Sequence, residues 1–199
     1  SATSRADDVY CLDRWYVLTQ TNTINVTQQS AQEDGQQHNI QLVQAQAVAQ
    51  RMGLAQIVLG NDSISDRAHA MTLSSRVRCS SSQAIRYAIL EWTGTAGSVT
   101  SDVVNDWTSG SYTAGNFFLA SNITVTAVGS ITPSANTWTN ITPLTGTASA
   151  SLNNWVVMFW TEGTAAQNVT LDIGKVQHER GGVATEFEIV EWVDTYLRC

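Results

Sequence analysis

Charge is what this chain has least of. Only 14% of its 199 residues are Asp, Glu, Lys or Arg, against about a quarter in an average soluble domain. Lys175 is the single lysine, and the net charge is −7. Nucleic-acid binding requires a basic stripe that neutralises phosphates, so DNA and RNA are excluded as partners. Anionic membrane surfaces are disfavoured on the same ground. No run approaches the ~18 apolar residues of a membrane span, and no basic start with an apolar middle marks a signal peptide. The three cysteines, Cys11, Cys79 and Cys199, are odd in number and far apart. They offer no metal-ligand spacing and no disulfide-dense scaffold. Free thiols are expected, with one bridge as the alternative. A chain that opens on Ser1 is expected to be processed or a fragment, with residues 1–8 as a mobile lead-in.

What is present is alternation. Hydrophobic residues make up 43% of the chain, and the polar surface falls to Ser, Thr, Asn and Gln. Met71, Leu73, Val77 and Cys79 alternate with Thr72, Ser74, Arg76 and Arg78, the mark of a strand with one buried face. Ile123, Val125 and Ala127 alternate with Thr124 and Thr126. Val169, Leu171 and Ile173 alternate with Thr170 and Asp172, and a bulge is expected at Gly174, where Val176 falls out of phase. Further strands are expected over 15–19, 54–59, 85–92, 137–141, 155–161 and 183–189. The run from Trp155 to Trp160 is apolar on both faces, so its second face needs cover from a loop, a second sheet or a neighbouring subunit.

Gly- and Asn-rich turns separate these runs, and helical periodicity is nearly absent. Short helical pieces are expected only over 101–107 and 190–197. The Gln/Asn-rich stretch 28–50 has partial strand character at Ile40 and Leu42 and stays inside the domain, with 45–52 as a loop entering a strand. No internal repeat or linker divides the chain. The expectation is a single all-β domain over 1–199, a two-sheet antiparallel jelly-roll sandwich, with 190–199 as a peripheral C-terminal segment.

Several segments together resemble a known family. They are Asp13-Arg14-Trp15, Gln50-Arg51-Met52-Gly53, Leu73 to Arg78, Ile89 to Thr95, Asn105-Asp106-Trp107, Gly115 to Phe118, and Leu171 to Glu188. The most specific is K-V-Q-x-E-x-G-x-x-A-T-x-F-E, matched from Lys175 to Glu188. Residues 9–199 resemble jelly-roll domains of bacteriophage tail fibres and other virion proteins, which look like carbohydrate-binding modules. The resemblance implies a virion protein, a fibre, spike or appendage domain that binds a host receptor or surface glycan. It also implies a homo-oligomer, a trimer in fibres, with other virion proteins as partners. It implies that the natural end lies beyond Cys199. The alternatives are a capsid or tail decoration or adaptor protein without sugar contact, and a carbohydrate-binding module of a cellular enzyme. The matched motifs read as framework, so no catalytic or sugar-contacting residue is carried over.

The residues themselves point away from catalysis. His38, His69 and His178 lie far apart without a nucleophile motif. Glu186 and Glu188 have a separation that could suit acid and base roles, but the expected reading is a solvated face near the domain end, since acid/base work also needs a cleft and a shifted pKa. A glycan site needs exposed rings that stack on the apolar faces of sugars. Of the seven tryptophans, Trp15, Trp92, Trp155 and Trp160 fall within strand patterns and are expected in the core. Trp107, Tyr112 and Trp138 fall in turn-rich polar segments and are the candidate stacking residues, with Asn105, Asn116 and Asn136 as amide partners. No cofactor is expected. A structural calcium held by hard oxygen ligands such as Asp172 and Asp13, with Asp7 or Asp8, is the weaker alternative.

Overall fold

The computed structural model describes residues 3–12, 14–33 and 36–188. Two antiparallel sheets face each other. The first contains β1 (Thr3–Arg5), β3 (Ile24–Glu33), β4 (Gln36–Val43), β6 (Ala70–Cys79), β9 (Thr139–Asn140), β10 (Leu144–Thr147) and β12 (Thr170–Arg180). Its order is β1-β3-β4-β12-β6-β10, with β9 also on β6. The second contains β2 (Trp15–Thr19), β5 (Met52–Ile57), β7 (Ile85–Trp92), β8 (Ile123–Ile131) and β11 (Asn154–Thr161), in the order β2-β5-β11-β7-β8. One five-residue helix, α1 (Gly60–Ile64), occupies a turn.

The period-2 pattern places the core between the sheets. Val17, Leu54, Tyr87, Ile89, Trp155 and Phe159 face Ile24, Leu42, Leu73, Val77, Cys79 and Leu171 across it. Each large side chain so buried contributes roughly 1.5–3 kcal/mol. The expected strands over 15–19 and 85–92 match β2 and β7. Cys79 is buried, Cys11 half-buried, and both thiols are free.

The second face of β11 is covered by the chain itself. Val156, Met158 and Trp160 pack with Leu18, Ala55, Ala88 and Leu90 against Val103, Phe117 and Phe118. The covering residues lie in the 98–122 connection between β7 and β8. This segment is laced across its own base, with Asn105 N donating to Phe117 O (2.7 Å) and Leu119 N to Val103 O (3.1 Å). A helix over 101–107 does not form. Its backbone instead bridges Val104 to Phe118, and the β-branched Val103 is driven onto the sheet. Trp160 fits because its neighbour across the ladder is Gly53, where a Cβ would lie 2.5 Å from the Phe159 carbonyl oxygen.

Other expectations are corrected. The lead-in supplies β1, which pairs Thr3–Arg5 with Ile24–Val26 of β3; among the described residues no strand lies beyond the rest of β3. The Gln/Asn-rich stretch is a long hairpin, β3 with β4. Residues 183–188 form no strand. The segment 190–197 lies outside the described residues, as do Ile189, Asp13 and Cys199.

The bulge after Gly174 is present, between Gly174 and Gln177. It shifts β12 by one residue and turns His178 inward, edge-on to Trp155 at 5.3 Å. Burial pushes its pKa down from the usual 6.5 to about 4, against a smaller upward pull from Asp66. Between those values the unfolded chain takes up a proton that the folded chain refuses, so stability falls as pH drops from 6.5 to 4. The expected loss from this group is about 3 kcal/mol. His178→Phe should remove it, seen as a smaller difference between urea midpoints at pH 7 and pH 4.5. An unchanged difference would show that His178 already carries a proton in the folded state at the lower pH.

Candidate functional site

The outer face of the larger sheet is polar for the same reason that its inner face is apolar. Register aligns Arg78 of β6 with Asp172 of β12, Asp172 with Gln41 of β4, and Gln41 with Thr27 of β3. The Arg78, Asp172 and Gln41 side chains form one hydrogen-bonded row. Asp172 is 1% exposed. Its Oδ1 accepts from Asn39 Nδ2 (3.0 Å) and Gln41 Nε2 (2.9 Å), and its Oδ2 from Arg78 Nε (3.1 Å). Gln29 Nε2 donates to Gln41 Oε1 at 2.9 Å, extending the row to β3. At the other end the Arg78 guanidinium lies 5.0 Å from the centroid of the Trp138 ring. Arg76 Nη2 donates to the Trp138 carbonyl at 3.3 Å.

Trp138 is half-buried and precedes β9. Among the described residues its indole N–H has no hydrogen-bond partner, and neither does Asn39 Oδ1. Asn136 stands two residues earlier at a left-handed turn position (φ 60), its backbone N–H held by the Cys79 carbonyl at 2.7 Å. The face therefore offers an aromatic ring followed by a guanidinium and amides, held by the buried Asp172 carboxylate beneath them.

Asn105, Trp107 and Tyr112 lie on the opposite side of the molecule, in the cover of the smaller sheet. Trp107 meets Phe117 edge-on at 5.7 Å. Tyr112 packs on Phe117 and Trp160 at 5.3 and 5.7 Å, and its hydroxyl donates to Glu162 Oε1 at 3.2 Å. The Arg86 guanidinium sits 4.2 Å from the centroid of the same ring and bonds Glu162 at 2.8 Å, which holds the Glu162 carboxyl below its usual pKa. Asn105 Nδ2 donates to the Asn116 carbonyl at 2.9 Å. These groups hold the cover together. The six sequence candidates thus fall on two faces: Asn136 and Trp138 on one, Asn105, Trp107, Tyr112 and Asn116 on the other.

Sequence reading missed Gln29, Asn39 and Gln41. Their signal was the alternation of Asn39 and Gln41 with Ile40 and Leu42, diluted by the surrounding amides. As for calcium, no group of three or more His, Cys, Asp or Glu among the described residues could hold a metal ion, and Asp172 is committed to three donors.

The motif from Lys175 to Glu188 is a clasp. After β12 the chain turns at Gly181 (φ 139) and folds back. Glu179 accepts from the Thr185 N–H (2.8 Å) and hydroxyl (2.7 Å). Gln177 Oε1 accepts from the Glu188 N–H at 2.8 Å, and its amide donates to Thr185 Oγ1 at 2.9 Å. Glu186 and Glu188 are exposed on this returning segment.

No family model matches the sequence, and no curated protein matches it. Similarity is found among solved structures. A protein from Bacteroides thetaiotaomicron to which sugar binding is ascribed is 11% identical, with a TM-score of 0.54 over 90% of this chain and 95% of that one. The C-terminal family 22 carbohydrate-binding module of Clostridium thermocellum Xyn10B is 10% identical, with a TM-score of 0.50 over 88% and 91%. The enzymatically active domain of bacteriophage CBA120 tailspike protein 4 is 10% identical, with a TM-score of 0.50, over 87% of this chain and 21% of that one. Likeness at such identities speaks to the fold: an all-β, two-sheet antiparallel jelly roll of the carbohydrate-binding-module type.

Proposed function

We propose that this domain is a glycan-binding module and that the outer face of its larger sheet is the binding surface. The row Trp138–Arg78–Asp172–Gln41–Gln29 carries the reading. Amide and guanidinium groups supply donors and acceptors for sugar hydroxyls, the buried Asp172 carboxylate holds them in place from beneath, and an indole supplies a surface for the apolar face of a pyranose. The hydrogen bonds along the row fix these groups before a ligand arrives, which lowers the entropic cost of binding. No group in this arrangement is asked to break a bond.

A panel of soluble polysaccharides, read by affinity electrophoresis and calorimetry, tests the reading. Trp138→Ala should weaken binding to the recognised glycan about tenfold or more with the fold intact by circular dichroism. A silent panel, or full affinity in the variant, would sink this surface. The setting follows from which glycans bind. Bacterial surface polysaccharides fit the virion module implied by the 175–188 resemblance, in a fibre or spike. Plant wall polysaccharides fit a module borne by a cellular enzyme.

A further inference from the structure

A second concave site lies on the inner side of the larger sheet, where the two sheets part. It is a cleft of about 300 Å³ between β4 and β12 on one wall and β2 and β5 on the other. Its apolar floor is Leu12, Trp15, Ile40, Ile173, Val176 and Phe187, and its polar rim includes Gln28, His38, Gln56 and Lys175. A further hollow of about 200 Å³ continues it towards the edge strand β1, sharing Leu12 and Gln28 and ending at Arg5.

Three observations converge on this groove. The first is charge. No Asp or Glu among the described residues lines either part, although acidic residues outnumber basic ones by 17 to 10 in the chain. The second is that both cations are uncommitted. Among the described residues neither Lys175 nor Arg5 is in a salt bridge. The third is backbone geometry. Lys175 is the extra residue of the β12 bulge and adopts φ 48, a left-handed conformation that costs an L side chain about 1 kcal/mol or more relative to glycine. A bulge re-aims a side chain, and here it brings the single lysine to the cleft wall.

We infer that this groove binds a carboxylate-bearing saccharide, a uronic-acid type of sugar. The carboxylate would meet Lys175 or Arg5, the hydroxyls Gln28 and Gln56, and the C–H face the apolar floor around Trp15. A simple inorganic anion would have no use for that floor, and a neutral sugar none for two unpaired cations. The cleft shares Asn39 with the row on the Trp138 face but not Trp138, Arg78 or Asp172, and the inference stands or falls without that face.

Calorimetry with a galacturonic acid trisaccharide and its methyl-esterified form tests the inference. The ester keeps the shape and removes the charge. The acid should bind about tenfold more tightly than the ester. Lys175→Gly should abolish that preference while thermal stability is kept or raised, because glycine is at ease at φ 48. Arg5→Gln should reduce the preference, and Trp138→Ala should leave it untouched. Equal affinity for acid and ester, no binding of either, or an unchanged preference in Lys175→Gly would each overturn the inference. So would displacement of the trisaccharide by millimolar phosphate, which would make the groove a general anion site.

Discussion

Replacing Trp160 with alanine is expected to lower the unfolding free energy by about 3–5 kcal/mol, the range for deleting a fully buried indole. Its side chain is wholly buried. It stacks on Phe117 at 5.0 Å and 20° and meets Phe118 and Tyr112 at 5.7 Å each. The cavity would open beneath the 98–122 cover, so the variant should also be cut there faster in limited proteolysis. Trp160→Phe separates packing from polarity. The indole N–H has no hydrogen-bond partner among the described residues, so phenylalanine loses volume but no bond. A cost under about 1.5 kcal/mol is expected. If both substitutions cost the same, the indole N–H is bonded after all.

The second large effect is expected at Asp172. Asp172→Ala removes the acceptor of three side-chain donors at once, and one of these, the Asn39 amide, is itself buried. Stranding them should cost about 3 kcal/mol. Arg78 is partly exposed and can recover water, which keeps the loss below that of a fully enclosed ion pair. Asp172→Asn keeps one oxygen and should cost about half as much. Urea midpoints of the two variants give the comparison. Glycan binding at the Trp138 face should fall in both, because Arg78 and Gln41 lose the group that fixes them. A loss under about 1 kcal/mol in Asp172→Ala would show that the row is held by its backbone register and not by this carboxylate.

The strands legible in the sequence carry a strong apolar signal of one of two kinds. β6 buries its apolar residues at alternate positions, whereas β2, β7 and β11 are near-continuous apolar runs buried on both faces, and the expected ends lie within a residue or two of the observed ones. The hairpin of β3 and β4 was not found as such. Only Ile24, Val26, Ile40 and Leu42 carry its inner face, and amide side chains on both sides blur the alternation. The cover over β11 was legible as a need, since Trp155–Trp160 is apolar on both faces. Its source was not. A neighbouring subunit would have met the need as well as the 98–122 connection does, and only the fold shows that Phe117 and Phe118 reach the sheet.

The candidate site divides in the same way. Trp138 was legible as an aromatic residue in a polar turn. Arg78 and Asp172 were legible as the polar side of their strands. That they stand side by side is a matter of register between strands 94 positions apart in sequence, which a single sequence does not carry. Trp107 and Tyr112 had the same signature as Trp138, yet they close over Phe117. Local composition does not say which rings in a polar segment face outward and which fold over an apolar sheet.

The edge left by β1 has a consequence for handling the protein. β1 engages β3 only over Ile24–Val26, and the following residues 27–32 carry neither charge nor proline. Natural sheets guard such borders with lysine, proline or a covering loop, because an unguarded border is a template for another chain. Glutamine-rich strands are prone to that pairing. Removing Thr3–Arg5 would lengthen the open border to the whole of β3, so a shortened protein should self-associate and precipitate where the longer one stays dispersed. A lysine in place of Ser30 would restore solubility at little cost to the core.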